Sequence, residues 1–181
     1  MKIRLFLLAF AALTLTACDD KPQTVTINKK YSVDLPSFLS VATDLNEDAS
    51  LQYENQLREF YVVVIDEPRK AFDDMMESGE IGYGPDLDGY SQLLVDDVRE
   101  TIADKSTAKP TKAKINGLDA RLASLSGTVE NLNVYWKVGY IQGKKDYYQV
   151  LCWTLAENKE KYDAQMGEII NSFKETDKSR K

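Results

Sequence analysis

The sequence predicts an α+β domain built around a mainly antiparallel sheet that is covered on both faces. Two observations predict it. Residues 111–155 read as four strands joined by tight turns, and the last strand is apolar on both of its alternating sets. Tyr148, Val150 and Cys152 form one set and Tyr147, Leu151 and Trp153 most of the other, so both faces need cover. Residues 158–173 then place Tyr162, Met166, Ile169, Ile170 and Phe173 on one helical stripe, an apolar face that must pack against something.

The elements follow in order. Thr24 to Asn28 is a β-branched, alternating stretch, and Tyr31 to Leu35 alternates again before Pro36, with a turn over Asn28-Lys29-Lys30. Phe38 to Leu45 has no clear pattern. Leu51–Gln56 and Glu59–Ile65 read as paired strands. Phe60 to Ile65 is apolar throughout, which predicts a central strand buried on both faces. Pro68 stands where a helix begins, with Phe72, Met75 and Met76 as its apolar face and an end near Ser78-Gly79. Ile81 to Pro85 is a loop. After Asp86, a second helix carries Leu87, Tyr90, Leu94, Val98 and Ile102 on one side and Asp96, Asp97, Arg99 and Glu100 largely on the other. Lys105 to Lys109 is a polar linker. Asn116-Gly117 is a hairpin turn between Thr111–Ile115 and Leu118–Val129. Glu130-Asn131 leads into Asn133–Ile141, and residues 142–145 lead into Tyr147–Leu155, completing a meander.

The N-terminus has a different character. Lys2 and Arg4 precede an apolar run from Leu5 to Leu13, which ends at Leu15-Thr16-Ala17-Cys18. Only about 11 to 13 apolar residues lie between Arg4 and Cys18, too few for a membrane span of roughly 20. Charge, apolar run and small-residue site read as a secretory signal. With Cys18 directly after Ala17, the stretch resembles a bacterial lipoprotein precursor over residues 1–18. The resemblance implies cleavage between Ala17 and Cys18, lipidation of the Cys18 sulfur (palmitate among the acyl chains) and a membrane anchor. A plain secreted protein with a chance cysteine is the bland alternative. Asp19 to Gln23 would be a tether. Asp19 resembles the inner-membrane retention signal of enterobacterial lipoproteins, which implies the inner membrane, facing the periplasm, where that rule applies. The expected organisation is signal 1–17, lipidated Cys18 and tether 18–23, one domain 24–174 and a disordered charged tail 175–181.

Removing 17 of the 181 residues leaves 164, enough for one domain with a core, and no repeat or second domain is visible. Losing Lys2 and Arg4 leaves 21 basic against 29 acidic residues, a net charge of −8. That balance argues against nucleic acid as a partner and against a basic face for anionic lipid. The chain has no His, which removes Ser-His-Asp and Cys-His nucleophile systems in their usual form and His-based zinc sites. Cys152 lies in the apolar run Val150 to Trp153 and reads as a small core residue. No cofactor or metal is expected.

Three constellations remain. Asp86-Leu87-Asp88-Gly89 has part of a calcium loop, but the third acid is missing and position 95 is Val, so capping of the helix by Asp86 and Asp88 is the better reading. Asp73-Asp74 and Asp96-Asp97 are adjacent on helices and do not face the same way, so a carboxylate-based hydrolase is the weakest alternative. Tyr135, Trp136, Tyr140, Tyr147, Tyr148 and Trp153 cluster on neighbouring strands and form a possible ligand surface, with core packing as the more common explanation. Lys144 and Lys145 read as hairpin-tip residues.

The order of elements resembles the PsbP-like fold, which is shared by the yeast Ran-binding protein Mog and by DcrB-type bacterial lipoproteins. Tyr31-Ser32-Val33-Asp34-Leu35-Pro36, Ile115-Asn116-Gly117-Leu118-Asp119-Ala120, Tyr147-Tyr148-Gln149-Val150 and Ile169-Ile170-Asn171-Ser172-Phe173 carry the resemblance, across about residues 24–174. It implies an α/β/α sandwich and a binding or assembly role more than catalysis. The expected function is therefore a non-catalytic, membrane-anchored envelope lipoprotein with an envelope protein partner. A small-ligand or lipid carrier using an aromatic-lined pocket is the alternative.

Overall fold

The computed structural model describes residues 21–77, 82–102 and 109–176. Ala17, Cys18, the helix end at Ser78-Gly79 and residues 105–108 of the linker lie outside the described residues.

Ten strands and three α-helices are described: β1 Gln23–Ile27, β2 Tyr31–Leu35, β3 Ser40–Val41, β4 Ala49–Asn55, β5 Phe60–Pro68, α1 Arg69–Glu77, α2 Leu87–Thr101, β6 Thr111–Ile115, β7 Leu118–Val129, β8 Leu132–Gln142, β9 Asp146–Leu155, α3 Lys159–Ser172 and β10 Lys174–Glu175. The main sheet has seven strands in the order β3-β4-β5-β9-β8-β7-β6, and every pairing is antiparallel. A smaller sheet, β1-β2-β10, is also antiparallel. Three turns use left-handed backbone at both central residues: Asn28 and Lys29, Asn116 and Gly117, Glu130 and Asn131. Paired positive φ values match the twist of flanking strands, so these turns fix the register of their hairpins.

The sheet alternates between two cores. On one face, Phe60, Val62 and Val64 of β5 and Tyr148, Val150 and Cys152 of β9 meet Tyr162, Met166, Ile169 and Ile170 of α3 and Phe173 just after it. Tyr31, Val33 and Leu35 of β2 close the same core. On the other face, Tyr147 of β9, Val138 and Tyr140 of β8 and Leu125 of β7 meet Phe72 and Met76 of α1 and Leu87, Tyr90 and Val95 of α2. The result is an α/β/α sandwich with α3 on one side and α1 and α2 on the other.

Several sequence expectations change. Pro68 closes β5, opposite Asp146, and the helix starts one residue later. Met75 is exposed while Phe72 and Met76 are buried, because the short helix turns only one narrow stripe to the sheet. Arg99 is not on the open side of α2: it is buried, with its guanidinium bonded to Asp96 one turn earlier. Only one set of β5 is fully buried, since Tyr61 and Ile65 on the other set are half-exposed. The charged end does not leave the fold at 174. Lys174 and Glu175 pair with Ser32 and Tyr31, and the Thr176 N–H donates to Lys30 O at 2.7 Å. A backbone ladder accepts charged side chains that point to solvent, which a composition-based reading cannot see.

Candidate functional site

The six aromatic residues on β8 and β9 do not form one surface. Strand alternation sends Tyr135 and Tyr148 to the α3 face and Trp136, Tyr140, Tyr147 and Trp153 to the α1/α2 face. Tyr135, Tyr140, Tyr147 and Tyr148 are core residues, at most 2% exposed. Tyr148 packs with Tyr31 and Phe173, at ring separations of 5.5 and 4.8 Å. Tyr147 stacks on Tyr90 at 4.4 Å, with Phe72 edge-on to both. The Tyr90 hydroxyl donates to Glu67, and burial, with that carboxylate beside it, pushes the phenol far above its ordinary pKa. The Tyr135 hydroxyl donates to Asp163 on α3, which also takes the Lys137 ammonium at 2.9 Å. These groups pin helices to the sheet.

Trp136 and Trp153 are different. They sit opposite one another in the β8–β9 register, and Tyr61 lies opposite Trp153 on β5. The Tyr61 and Trp153 rings stack at 5.1 Å and 12°. Val129 and Leu132, on either side of the β7–β8 turn, border the same groove, and Leu132 is 56% exposed. The groove holds about 220 Å³. Its rim is acidic, with Glu59 and Glu130 in its wall and Glu54 acting on Tyr61. Burial and the Glu59 carboxylate raise the Tyr61 phenol to about 12. Leu57, on the adjoining β4–β5 turn, is 99% exposed. Large apolar side chains left open together are the mark of an interaction surface.

A second cleft of about 520 Å³ opens on the same face between α2, β5 and β9. Ile65 and Leu151 from the sheet and Leu94 and Val98 from α2 give it apolar walls, and Asp48, Glu67 and Asp97 reach its rim.

The remaining sequence candidates have structural partners. Asp86 Oδ1 accepts the Gly89 N–H at 2.8 Å, which is the cap expected from sequence. Asp88 does not cap. It binds Arg121 and Lys112, and the Arg121 guanidinium holds its carboxyl below the ordinary value. Asp74 pairs with Lys70, and Asp73 accepts from the Tyr147 hydroxyl at 3.2 Å. Asp96 accepts from Tyr83, Gln92 and Arg99. Cys152 is buried among apolar side chains, and burial drives its thiol far above the ordinary range. The Lys144 N–H donates to Glu175, and the Lys145 carbonyl accepts the Arg69 N–H, so the hairpin tip is tied to β10 and α1. Sequence reading missed Tyr61, Val129, Leu132, Asp48 and Glu67 as groove or cleft residues, and it weighed Asp97 only as the neighbour of Asp96. Tyr61 could have been paired with Trp153 only from the strand register.

This geometry defines a class, the PsbP-like sandwich. Solved structures share it at low identity. CyanoP, the cyanobacterial PsbP of Synechocystis, superposes with a TM-score of 0.57 at 9% identity, over 88% of this chain and 95% of its own. The Ran-binding protein Mog1p of Saccharomyces cerevisiae gives 0.52 at 13% identity, over 87% of this chain and 97% of its own. A Bacteroides thetaiotaomicron protein gives 0.53 at 12% identity over 89% of this chain, which spans only 50% of that protein's length. Likeness at this identity shows the fold alone. No protein-family model and no curated sequence matches the chain.

Proposed function

We propose that this chain is a non-catalytic, lipid-anchored protein of the bacterial cell envelope that holds a protein partner against the aromatic end of its sheet. The observation that carries the proposal is the open apolar groove of Tyr61, Trp136, Trp153, Val129 and Leu132. Its acidic rim selects the occupant: a protein segment with an apolar plug flanked by Lys or Arg. The same rim repels anionic lipid headgroups, so a membrane is the poorer occupant.

Two further features support the reading. Asp66, Asp74, Asp88, Asp119 and Asp163 are each held by a Lys or Arg, which suits structural duty better than acid–base chemistry. The chain enters the fold on the α3 side, where Pro22 borders Pro36, Gln165 and Ile169. A tether from Cys18 would therefore leave the groove on the opposite face open. Among the described residues, no helix is long and apolar enough to cross a membrane. The Mog1p structure is that of a Ran-binding protein, an example of this sandwich serving protein binding.

The test is cross-linking and recovery of the full-length lipidated chain from membranes, alongside Leu132→Asp. Leu132 is exposed, so the variant should fold unchanged by circular dichroism. The expected result is a discrete protein partner whose recovery falls about tenfold or more in the variant, the loss of a central apolar contact. Equal recovery with both forms, or recovery of the chain alone, would count against the proposal.

A further inference from the structure

We infer that the open edge of β7, residues 124–128, pairs with the same stretch of a second copy of this chain and joins two main sheets into one. This interface is separate from the partner groove and does not depend on it.

Strand β7 is longer than its outer neighbour. It runs from Leu118 to Val129, but β6 pairs only with Leu118 to Leu122 and begins at Thr111, directly after Pro110. Residues 123–129 pair with β8 on one side and, among the described residues, with no strand on the other. The β7–β8 turn fixes which groups are left open. Glu130 and Asn131 have φ of 49° and 68°, a two-residue turn that makes Val129 and Leu132 a hydrogen-bonded pair. Odd-numbered residues of β7 therefore bond β8. Ser124, Ser126 and Thr128 turn their backbone N–H and C=O outward, and all three are exposed.

The two terminal strands of the main sheet are guarded, and this stretch is not. Strand β3 has only two residues. Strand β6 carries Lys112 and Lys114, whose side chains are 76% and 69% exposed. Short edges and edge lysines prevent strand addition. From Ala123 to Val129 there is no charge and no Pro, and the register with β8 runs without a bulge.

The stretch also fits itself. An antiparallel pair centred on Ser126 sets Ser126 against Ser126, and Ser124 against the second copy's Thr128. Hydroxyl then meets hydroxyl at each of these positions. On the other face Leu125 meets Gly127, a large residue against a small one. The chain as a whole is acidic, but no charge within the stretch opposes its approach to a copy of itself. The two-fold axis of such a pair is normal to the sheet, so both α3 faces lie on one side. Pro22, where the described chain enters the fold, borders that face, so two copies anchored as proposed would reach one membrane from the same side. This symmetry selects a second copy over an unrelated strand.

Cysteine cross-linking of the full chain in membranes tests the inference. A hydrogen-bonded antiparallel pair has Cα atoms about 5.5 Å apart, within disulfide reach. On mild oxidation, Ser126→Cys should give a disulfide-linked dimer in yield about tenfold above that of Lys114→Cys, because pairing raises the effective concentration of the thiols. Ser124→Cys and Thr128→Cys chains should cross-link to each other when co-expressed, and far less to themselves. Cys152 is buried, and the unsubstituted chain sets the background. Adding Ser126→Lys to the Ser124→Cys and Thr128→Cys chains should abolish their cross-link without changing circular dichroism. A yield at position 126 no higher than at 114 would show random collision and overturn the pairing. So would an adduct with another protein in place of the dimer. Slow exchange of the 124, 126 and 128 amides in dilute monomer would also overturn it, because the edge would then be covered within one chain.

Discussion

A methyl group at Gly89 would lie 1.9 Å from the carbonyl oxygen of Gly84, so the loop entering α2 can close only over a glycine. That closure lets Asp86 cap the helix. Gly89→Ala should lower unfolding stability by about 1–3 kcal/mol, the usual cost of overpacking, read from urea melts. Cys152 offers a second residue-scale test. In a Cys18→Ser background it should react with a maleimide only after denaturation, because the thiol is fully buried and that burial outweighs the Lys137 ammonium opposite it on β8. Asp163 gives a pH test. Tyr135 and Lys137 hold its carboxyl below the ordinary 3.8, so near that pH the unfolded chain binds more protons than the folded one. Its stabilisation is present above that value and is lost as pH falls through the lower folded pKa. Asp163→Asn should therefore be less stable at neutral pH and show a flatter acid limb in pH-dependent melts. The Asp86 cap was legible in the sequence because capping needs only local spacing. The roles of Gly89, Asp88 and Arg99 were not: Gly89 depends on the path of the loop at Gly84, Asp88 on the distant Arg121 and Lys112, and Arg99 on which side of α2 is covered.

The hairpins were the most legible elements. Asn116-Gly117 requires positive φ at both residues, which these residue types tolerate, and the flanking strands have the bounds read from sequence. The α3 stripe was also read correctly, with its five apolar residues at most 4% exposed. The short strand β10 was not legible, since Lys174 and Glu175 contribute backbone rather than apolar side chains. It anchors a tight corner: Asn116 Nδ2 donates to Phe173 O at 2.7 Å, and the Phe173 ring stacks on Tyr31 at 5.3 Å. Phe173→Ala should cost about 3–5 kcal/mol in urea unfolding, as large aromatic truncations in cores do. Truncation after Phe173 should cost less, and should speed hydrogen exchange at the β2 amides first. Loss of the ring with no change in stability would mean that β2 and α3 do not share this core.

At the scale of the whole molecule, the sheet is a divider. Period-2 alternation was visible along β8 and β9, but which aromatic rings are covered depends on where α1 and α2 end over the sheet. Four of the six therefore became core, and the two Trp residues joined Tyr61, which the sequence had placed in a strand buried on both faces. The chain enters the fold at Pro22 on the α3 face and the groove lies on the other, so lipidation at the proposed anchor and partner binding should be separable. Cys18→Ser should lose incorporated palmitate while keeping its circular dichroism, and should still bind the partner in vitro. Palmitate persisting in that variant would remove the anchor assignment. The most direct test of the central claim is site-specific photo-cross-linking in intact cells, with the photoreactive residue at Leu132 in the groove or at Glu168 beside the tether entry. The account predicts a discrete adduct with another protein from position 132 and none from 168. Adducts of equal yield from both positions, or an adduct from 168 alone, would contradict it.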